Sequence, residues 1–366
     1  MRNLIILFAF FSFAAKAQAT RFISEQNRIR ANYDSAYLEL KDMLEGRTKA
    51  SFKRAVFITE NAYLNNKETY EDFNDAIAYL TSRAKIIADQ GQLIYEGRDK
   101  EHVSKNAAVF KLMTDTVKYH LDSGYYRMTI PYSYDFDDFF GESDWTKMFV
   151  IKLLRTNKGN CHSLPMLYKI LCEQLGTKAF LAMAPNHIYV KQFAQSTGWY
   201  NTELTSGQFP IDAWIMASGY IHLSAIQSGV YMDTLSLKQS LAVCVTDLAK
   251  GYERIFPDDL EFQMQCADLT LTHYPIYTNA LILKAEILKK RFEKQMKKTG
   301  VQYPSEIFSD PEAKALFDKM ESLYFHIHQI GYRMMPKEMY INWLMDLKNH
   351  REKYQNKELV NKLNSR

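Results

Sequence analysis

The chain has 366 residues, 47% of them apolar and 24% charged, with only 14 glycines and 9 prolines. That balance excludes disordered, collagen-like and disulfide-scaffold proteins; it suits a folded chain of two or three domains and favours helix. The formal charge of +4 falls to about +2 once Arg2 and Lys16 of the leader are set aside, with 44 basic residues against 42 acidic ones, so no electrostatic footprint for nucleic acid is expected.

Arg2 precedes an apolar run of 12 residues from Leu4 to Ala15, and the small-x-small sites Ala15-Lys16-Ala17 and Ala17-Gln18-Ala19 follow. This pattern predicts a secretory signal peptide over residues 1–19 and an exported protein, periplasmic or extracellular. The first cysteine is Cys161, so no lipid-anchoring cysteine stands at the cleavage point. No later run approaches the ~20 apolar residues that an integral span needs. Cys161, Cys172, Cys244 and Cys266 contain no CxxC pair. Structural zinc is therefore not expected, and no metal or organic cofactor is implied.

Residues 20–125 read as a helical N-terminal subdomain. Ile29, Tyr33, Ala36, Tyr37, Leu40 and Leu44 share a face before Gly46, and Phe73, Ile77, Leu80, Ala84 and Ile87 follow the N-cap Thr69. Asp135, Asp137 and Asp138 lie in an aromatic, acidic connector. They lack the ligand series and terminal Glu of a calcium loop, so a docked surface loop is expected. Ser143 is then expected to cap a helix carrying Trp145, Met148 and Phe149.

Residues 126–235 hold the informative segment. A helix is predicted from Cys161 to Leu175, with Leu164, Leu167, Tyr168, Leu171 and Cys172 as its buried stripe and Gly176 as its stop. Strand-like runs follow at Lys178 to Ala182, His187 to Phe193 and Trp199 to Leu204; a polar turn at Gln195-Ser196-Thr197-Gly198 joins the last two. Residues 236–366 are again helical. Ala267, Pro275, Ala280 and Ala285 resemble one tetratricopeptide unit, whose small residues let paired helices approach. The basic stretch from Lys284 to Lys298 alternates with apolar residues and reads as a solvated helix face. His326 and His328, two apart on a predicted helix, diverge and make no metal pair.

A cysteine at a helix start has a physical reason to react, because orphan amides and the helix dipole stabilise its thiolate. His187, opening a strand just after Pro185-Asn186, is positioned to take and return the thiol proton. Neighbouring His162 projects about 100° away on the helix and is not the base. Two residues compete to orient His187. If the turn centres on Ser196 and Thr197, Val190 faces Glu203, and Glu203 is favoured; Asn201 takes the role if a bulge shifts the pairing.

At these residues the chain resembles the transglutaminase-like superfamily. The resemblance is carried by Gly159-Asn160-Cys161-His162-Ser163-Leu164-Pro165, by Asn186-His187-Ile188-Tyr189-Val190, and by Trp199-Tyr200-Asn201-Thr202-Glu203-Leu204-Thr205. It covers roughly residues 140–215 and is strongest to the bacterial branch with tetratricopeptide-like C-terminal helices. The resemblance implies a helix-rich α+β fold with a papain-like core between helical flanks. It makes Cys161 the nucleophile, His187 the general base and acid, and Glu203 the orienting acid where the family has Asp. Asn160 is implied as an oxyanion donor beside the Cys161 amide. The implied chemistry is hydrolysis or acyl transfer at an amide of a peptide, protein or cell-envelope substrate, through a thioester. A non-catalytic protein of the same fold, binding a peptide or protein partner through its C-terminal helices, is the alternative.

Overall fold

Local capping chemistry sets where the N-terminal helices begin. In a computed structural model, which describes residues 2–91, 93–121, 124–300, 306 and 309–363, α1 (Arg2–Leu44) is followed by α2 (Phe52–Tyr63), α3 (Tyr70–Gln90) and α4 (Lys100–Thr114). The leader expected at residues 1–19 lies outside the described side chains. Ser51 Oγ accepts from the Arg54 amide at 3.3 Å, and Thr69 Oγ1 accepts from the Asp72 amide at 3.1 Å. Each satisfies an amide that the helix itself leaves orphaned. The expected stripes of α1 and α3 face one hydrophobic core, with Tyr33, Leu40, Leu44, Phe73, Ile77 and Ala84 buried.

Two short pairings come next. β1 (Lys118–His120) is antiparallel to β2 (Tyr126–Met128), and β3 (Ser133–Tyr134) runs parallel to β4 (Lys158–Gly159). The acidic connector after β3 is pinned by its own cations and amides. Asp135 accepts from Lys147 at 3.1 Å and Lys152 at 2.6 Å, while Asp138 takes the amides of Glu142, Ser143 and Asp144. Because Ser143 is held there by its amide, the cap expected from it falls one residue later. Asp144 Oδ1 accepts from the Thr146 amide at 3.0 Å and opens a 3-10 turn, Trp145–Met148, before α5 (Val150–Thr156).

The axis of the fold is α6 (Ser163–Gln174). The sequence predicts one buried stripe; the structure instead buries every residue from Ser163 to Cys172. Helices α2 to α5 surround it on one side, and β5 (Phe180–Ala184) and β6 (His187–Ala194) cover the other. Lys169 tolerates burial because its ammonium reaches Glu173 at 2.6 Å and the Ala179 carbonyl at 3.2 Å. Gly176, at φ +70°, ends the helix as expected. Leu171→Ala at this axis is expected to cost about 2–5 kcal/mol of stability, read by denaturant unfolding.

Strands β5, β6 and β7 (Gly198–Thr202) form an antiparallel meander. Ala194 pairs with Gly198, so the hairpin loop is Gln195 to Thr197, and Gly198 takes φ +73°. A left-handed residue closing a three-residue loop is a standard hairpin solution. This loop sets the register one residue from the expected one: Val190 faces Thr202, not Glu203. Since side chains alternate, that single step decides which groups share a face.

Short helices α7 (Asp212–Ser218) and α8 (Leu223–Gln227) lead to α9 (Leu237–Ile255), α10 (Leu260–His273), α11 (Thr278–Thr299) and α12 (Pro311–Gln329). Ser236 and Gln239 form a reciprocal capping box at the start of α9. Consecutive helices from α9 to α12 pack along one another, with Ala267, Ala280 and Ala285 buried between them. The chain then returns to the sheet as α13 (Lys337–Asn349), α14 (Arg351–Tyr354) and α15 (Lys357–Leu363). Asn186 Nδ2 donates to the Met335 carbonyl at 2.8 Å, and the Asn356 amide donates to Phe209 at 2.8 Å, tying this segment down. The fold is α+β and helix-rich. No helix among the described residues is long and apolar enough to cross a membrane.

Candidate active site

The segment leading into Cys161 is built around close backbone approach. A Cβ on Gly159 would meet Leu153 Cδ1 and Ser163 Oγ at 2.7 Å. Gly159→Ala is therefore expected to displace the start of α6 and cost about 1–3 kcal/mol, checked by thermal melting. Asn160 follows and serves as the cap. Its Oδ1 accepts from the amides of His162 and Ser163, each at 3.0 Å, and its Nδ2 donates to the Phe139 carbonyl at 3.0 Å and lies 2.9 Å from Met148 Sδ. Both faces of the amide are thus committed, which leaves no hydrogen for the oxyanion role expected of Asn160.

Cys161 sits at the N-terminal edge of α6, 4% exposed, and its thiol donates to the Asn186 carbonyl at 3.8 Å. Burial pushes the thiol up; hydrogen bonding to His187 and its charge, then the Tyr340 hydroxyl and the charge of His162, outweigh burial and hold it below the usual thiol range. Burial pushes Cys172, Cys244 and Cys266 in the opposite direction. All four cysteines are free, so Cys161 is not spent in a disulfide.

His187 is aimed by a tight turn. Ala184 pairs with His187 across Pro185-Asn186, with Asn186 at φ +56°, a conformation that asparagine tolerates better than most residues. The ring is fully buried between two partners: Nε2 lies 2.5 Å from Glu203 Oε2, and Nδ1 lies 3.1 Å from the Tyr340 hydroxyl. Burial lowers the imidazole, but the Glu203 charge and the bond to Cys161 raise it further, to about 10. Glu203 answers in kind. Burial raises its carboxyl, and the His187 charge, helped by Thr205, brings it below the usual carboxylate range. Thr205 fixes the other oxygen, donating from its amide at 2.8 Å and its hydroxyl at 2.5 Å to Oε1.

The observed register explains why Glu203 reaches His187. Continued one pair past Val190–Thr202, it sets Glu203 beside Tyr189 and on the same face as His187. The register expected from the sequence would have put the two on opposite faces. Asn201, the other candidate, shares that face but is committed elsewhere, donating to the Pro210 carbonyl at 2.9 Å and to Asp212 at 2.7 Å.

Three aromatic groups join the site without a signal in the local sequence. Tyr340 and Trp343 arrive from α13; Trp343 sets its ring edge-on to His187 with centroids 4.6 Å apart. Tyr134, brought alongside by the β3–β4 pairing, feels the charges of Cys161 and Glu203. Beside Cys161 and His187 opens a cavity of about 220 Å³, walled by Phe140, Tyr231, Tyr277 and Tyr332 with Asn279 at its rim. A larger cleft of about 400 Å³ lies between α3, α4 and β1, but among the described residues its lining holds no cysteine, histidine or carboxylate.

Beneath Cys161 lies a second titratable cluster. Glu60 on α2 accepts from the amides of Val150 at 2.7 Å and Ile151 at 2.9 Å, the free start of α5. Burial nevertheless pushes its carboxyl up to about 8. His162 lies close by, and burial, overcome by the Asp247 charge and hydrogen bond, leaves it raised to about 9. Raised values on Glu60, His162 and His187 mean that the native state holds protons the unfolded chain releases. Each such contribution is complete below the unfolded value and is lost as pH climbs through the folded one; lowered Cys161 opposes them, as do lowered His273 and Lys53 towards the two ends of the range, each adding stability as pH rises. The melting temperature is therefore expected to fall between pH 6.5 and pH 10, and Glu60→Gln should flatten the part below pH 8.

Among known proteins, no family model matches this chain, and no curated protein matches it.

Proposed function

We propose that the protein is a transglutaminase-like cysteine enzyme on a papain-like core, acting on an amide or peptide carbonyl. The observation that carries this reading is the buried His187, whose Nε2 lies 2.5 Å from Glu203 Oε2 and which lines one cavity with Cys161. A nucleophile, a base and a group that orients the base are the parts that acyl transfer needs.

In the proposed reaction the Cys161 thiolate attacks the carbonyl carbon, and the oxyanion is received by the Cys161 amide at the start of α6. Collapse breaks the C–N bond as His187 gives its proton to the leaving amine, leaving a thioester on Cys161. His187 then deprotonates water or a second amine, whose attack releases the acyl group and restores the thiolate. The order needs no cofactor. The leader expected at residues 1–19 makes an extracytoplasmic peptide, protein or cell-envelope amide the substrate class.

Alkylation of each cysteine by iodoacetamide across pH, mapped by peptide, tests the reading. Cys161 alone should react in the native protein with a midpoint well below pH 8, and His187→Ala should move that midpoint upward. Reaction of Cys161 no earlier than an ordinary thiol would remove the enzyme reading. The alternative, a non-catalytic binding protein of the same fold, draws on one observation: α13 covers the pair and leaves Cys161 almost wholly buried.

A further inference from the structure

His162 follows the candidate nucleophile directly and lines the same cavity, yet neither of its ring nitrogens is committed to His187. Nδ1 lies 3.0 Å from the Met148 carbonyl oxygen, and Nε2 lies 3.0 Å from Asp247 Oδ2. A carbonyl oxygen only accepts, and so does an ionised carboxylate. A neutral imidazole has one hydrogen and would set a bare nitrogen against one of these two oxygens. The arrangement is satisfied when both nitrogens carry hydrogen, and the side chains of His162 and Asp247 are only 11% and 16% exposed.

We propose that His162 is a standing imidazolium, fixed by Asp247 and the Met148 carbonyl, whose charge holds the adjoining Cys161 as a thiolate. It is a positioning residue rather than a catalytic one, and the inference rests on Cys161 being the nucleophile. Its role differs from that of His187. His187 must surrender its proton to the leaving amine, and at that moment its own charge no longer supports the sulfur. His162 keeps both hydrogens throughout, so it can stabilise the thiolate a second time, as the leaving group when the thioester is resolved.

The charged and titratable groups facing His162 are Asp247 from α9, Glu60 from α2 and Cys161 itself. Glu60 does not cancel the cation: with its carboxyl up at about 8 it is largely uncharged near neutrality, while His162, raised to about 9, is largely charged. Cys244 lines the same pocket but, pushed up by burial, contributes no charge.

The test pairs a direct readout with a functional one. In wild-type protein labelled with ¹⁵N in the imidazoles, and with His162 assigned by its absence in His162→Gln, the ring should stay doubly protonated from pH 6 to pH 8. Asp247→Asn leaves the ring in place but removes the carboxylate that demands the second hydrogen. The alkylation midpoint of Cys161 should then rise, by less than the roughly one pH unit that a lone, partly screened neighbouring charge is worth, because the Asp247 anion leaves together with the ring's second proton. His162→Gln removes the cation and keeps the anion, so it should raise the midpoint further, and Asp247→Glu should restore most of the effect. A neutral His162 tautomer in the wild type at pH 7 would overturn the inference even if every variant misfolds. An unmoved midpoint in folded Asp247→Asn, with His187→Ala still shifting it, would overturn it while leaving the nucleophile–base reading intact. An ordinary thiol midpoint for wild-type Cys161 would remove both.

Discussion

Glutamine in place of Glu203 is expected to slow alkylation of Cys161 at pH 7 and to lower turnover of any amide substrate by about 10⁴-fold, the loss seen when a triad acid gives up its charge. The reason lies in Thr205. Its amide and hydroxyl both donate to Oε1, and an amide donor accepts no alternative, so a glutamine at 203 must present its carbonyl oxygen to Thr205. Its NH₂ group then faces His187 Nε2, where Glu203 Oε2 stands now at 2.5 Å. An NH₂ donor there demands an unprotonated Nε2, so the ring's hydrogen moves to Nδ1, the nitrogen that should receive the thiol proton. His187 would be locked in the tautomer that cannot act as base, and the carboxylate that raises it would be gone. Gln is neutral, so no unpaired charge is buried, and circular dichroism and melting should show a folded protein. Near-normal alkylation in folded Glu203→Gln would end Glu203's role as the orienting acid.

The residues brought together here were legible where the signal was local. Cys161 before an apolar helix, His187 after a Pro-Asn turn and Glu203 in the next strand each carry a short-range reason to be where they are. The hairpin register carries no such local signal. Gln195-Ser196-Thr197-Gly198 reads equally as a loop of either parity, and only the left-handed Gly198 settles it. Asn160 was legible too, but as a cap. Asn with Ser three residues on at a helix start is a capping pattern, and the structure uses it so. The burial of α6 on all sides was hidden by Ser163 and Lys169, polar residues whose partners come from Asn160, Glu173 and Ala179. Asp247, Tyr340 and Trp343 had no local signal at all. Each looks like an ordinary position on an amphipathic helix, and only the return of the chain across the core gives it a chemical neighbour.

Removing the ring of Tyr340 is expected to raise the rate at which a bulky disulfide reagent reaches Cys161 by about tenfold or more. Thiolate attack needs the acyl carbon about 3–3.5 Å from sulfur, with the leaving nitrogen near the base. The Tyr340 hydroxyl already stands there, 3.1 Å from His187 Nδ1 and near enough to the thiol to help lower it. It is wedged by Phe139 and Phe140, with centroids 5.6 and 5.2 Å away, and Trp343 closes over His187 with Trp214 stacked behind it at 5.7 Å. A carbonyl entering from the 220 Å³ cavity must displace this hydroxyl, or α13 must swing out. Truncating a buried aromatic to alanine costs about 3–5 kcal/mol, and only about 1.4 kcal/mol of that need fall on the docking of α13 for the open state to rise tenfold. Two effects would otherwise be confounded, since the hydroxyl also helps to hold the thiol down. Measuring near pH 10, where the thiolate is populated in every variant, removes that difference. Tyr340→Phe keeps the ring and should leave the ratio of bulky to small reagent unchanged while moving the alkylation midpoint upward. Tyr340→Ala should raise the ratio. If Tyr340→Ala leaves it where it was, α13 is not the cover that substrate must move, and entry lies wholly through the tyrosine-walled cavity.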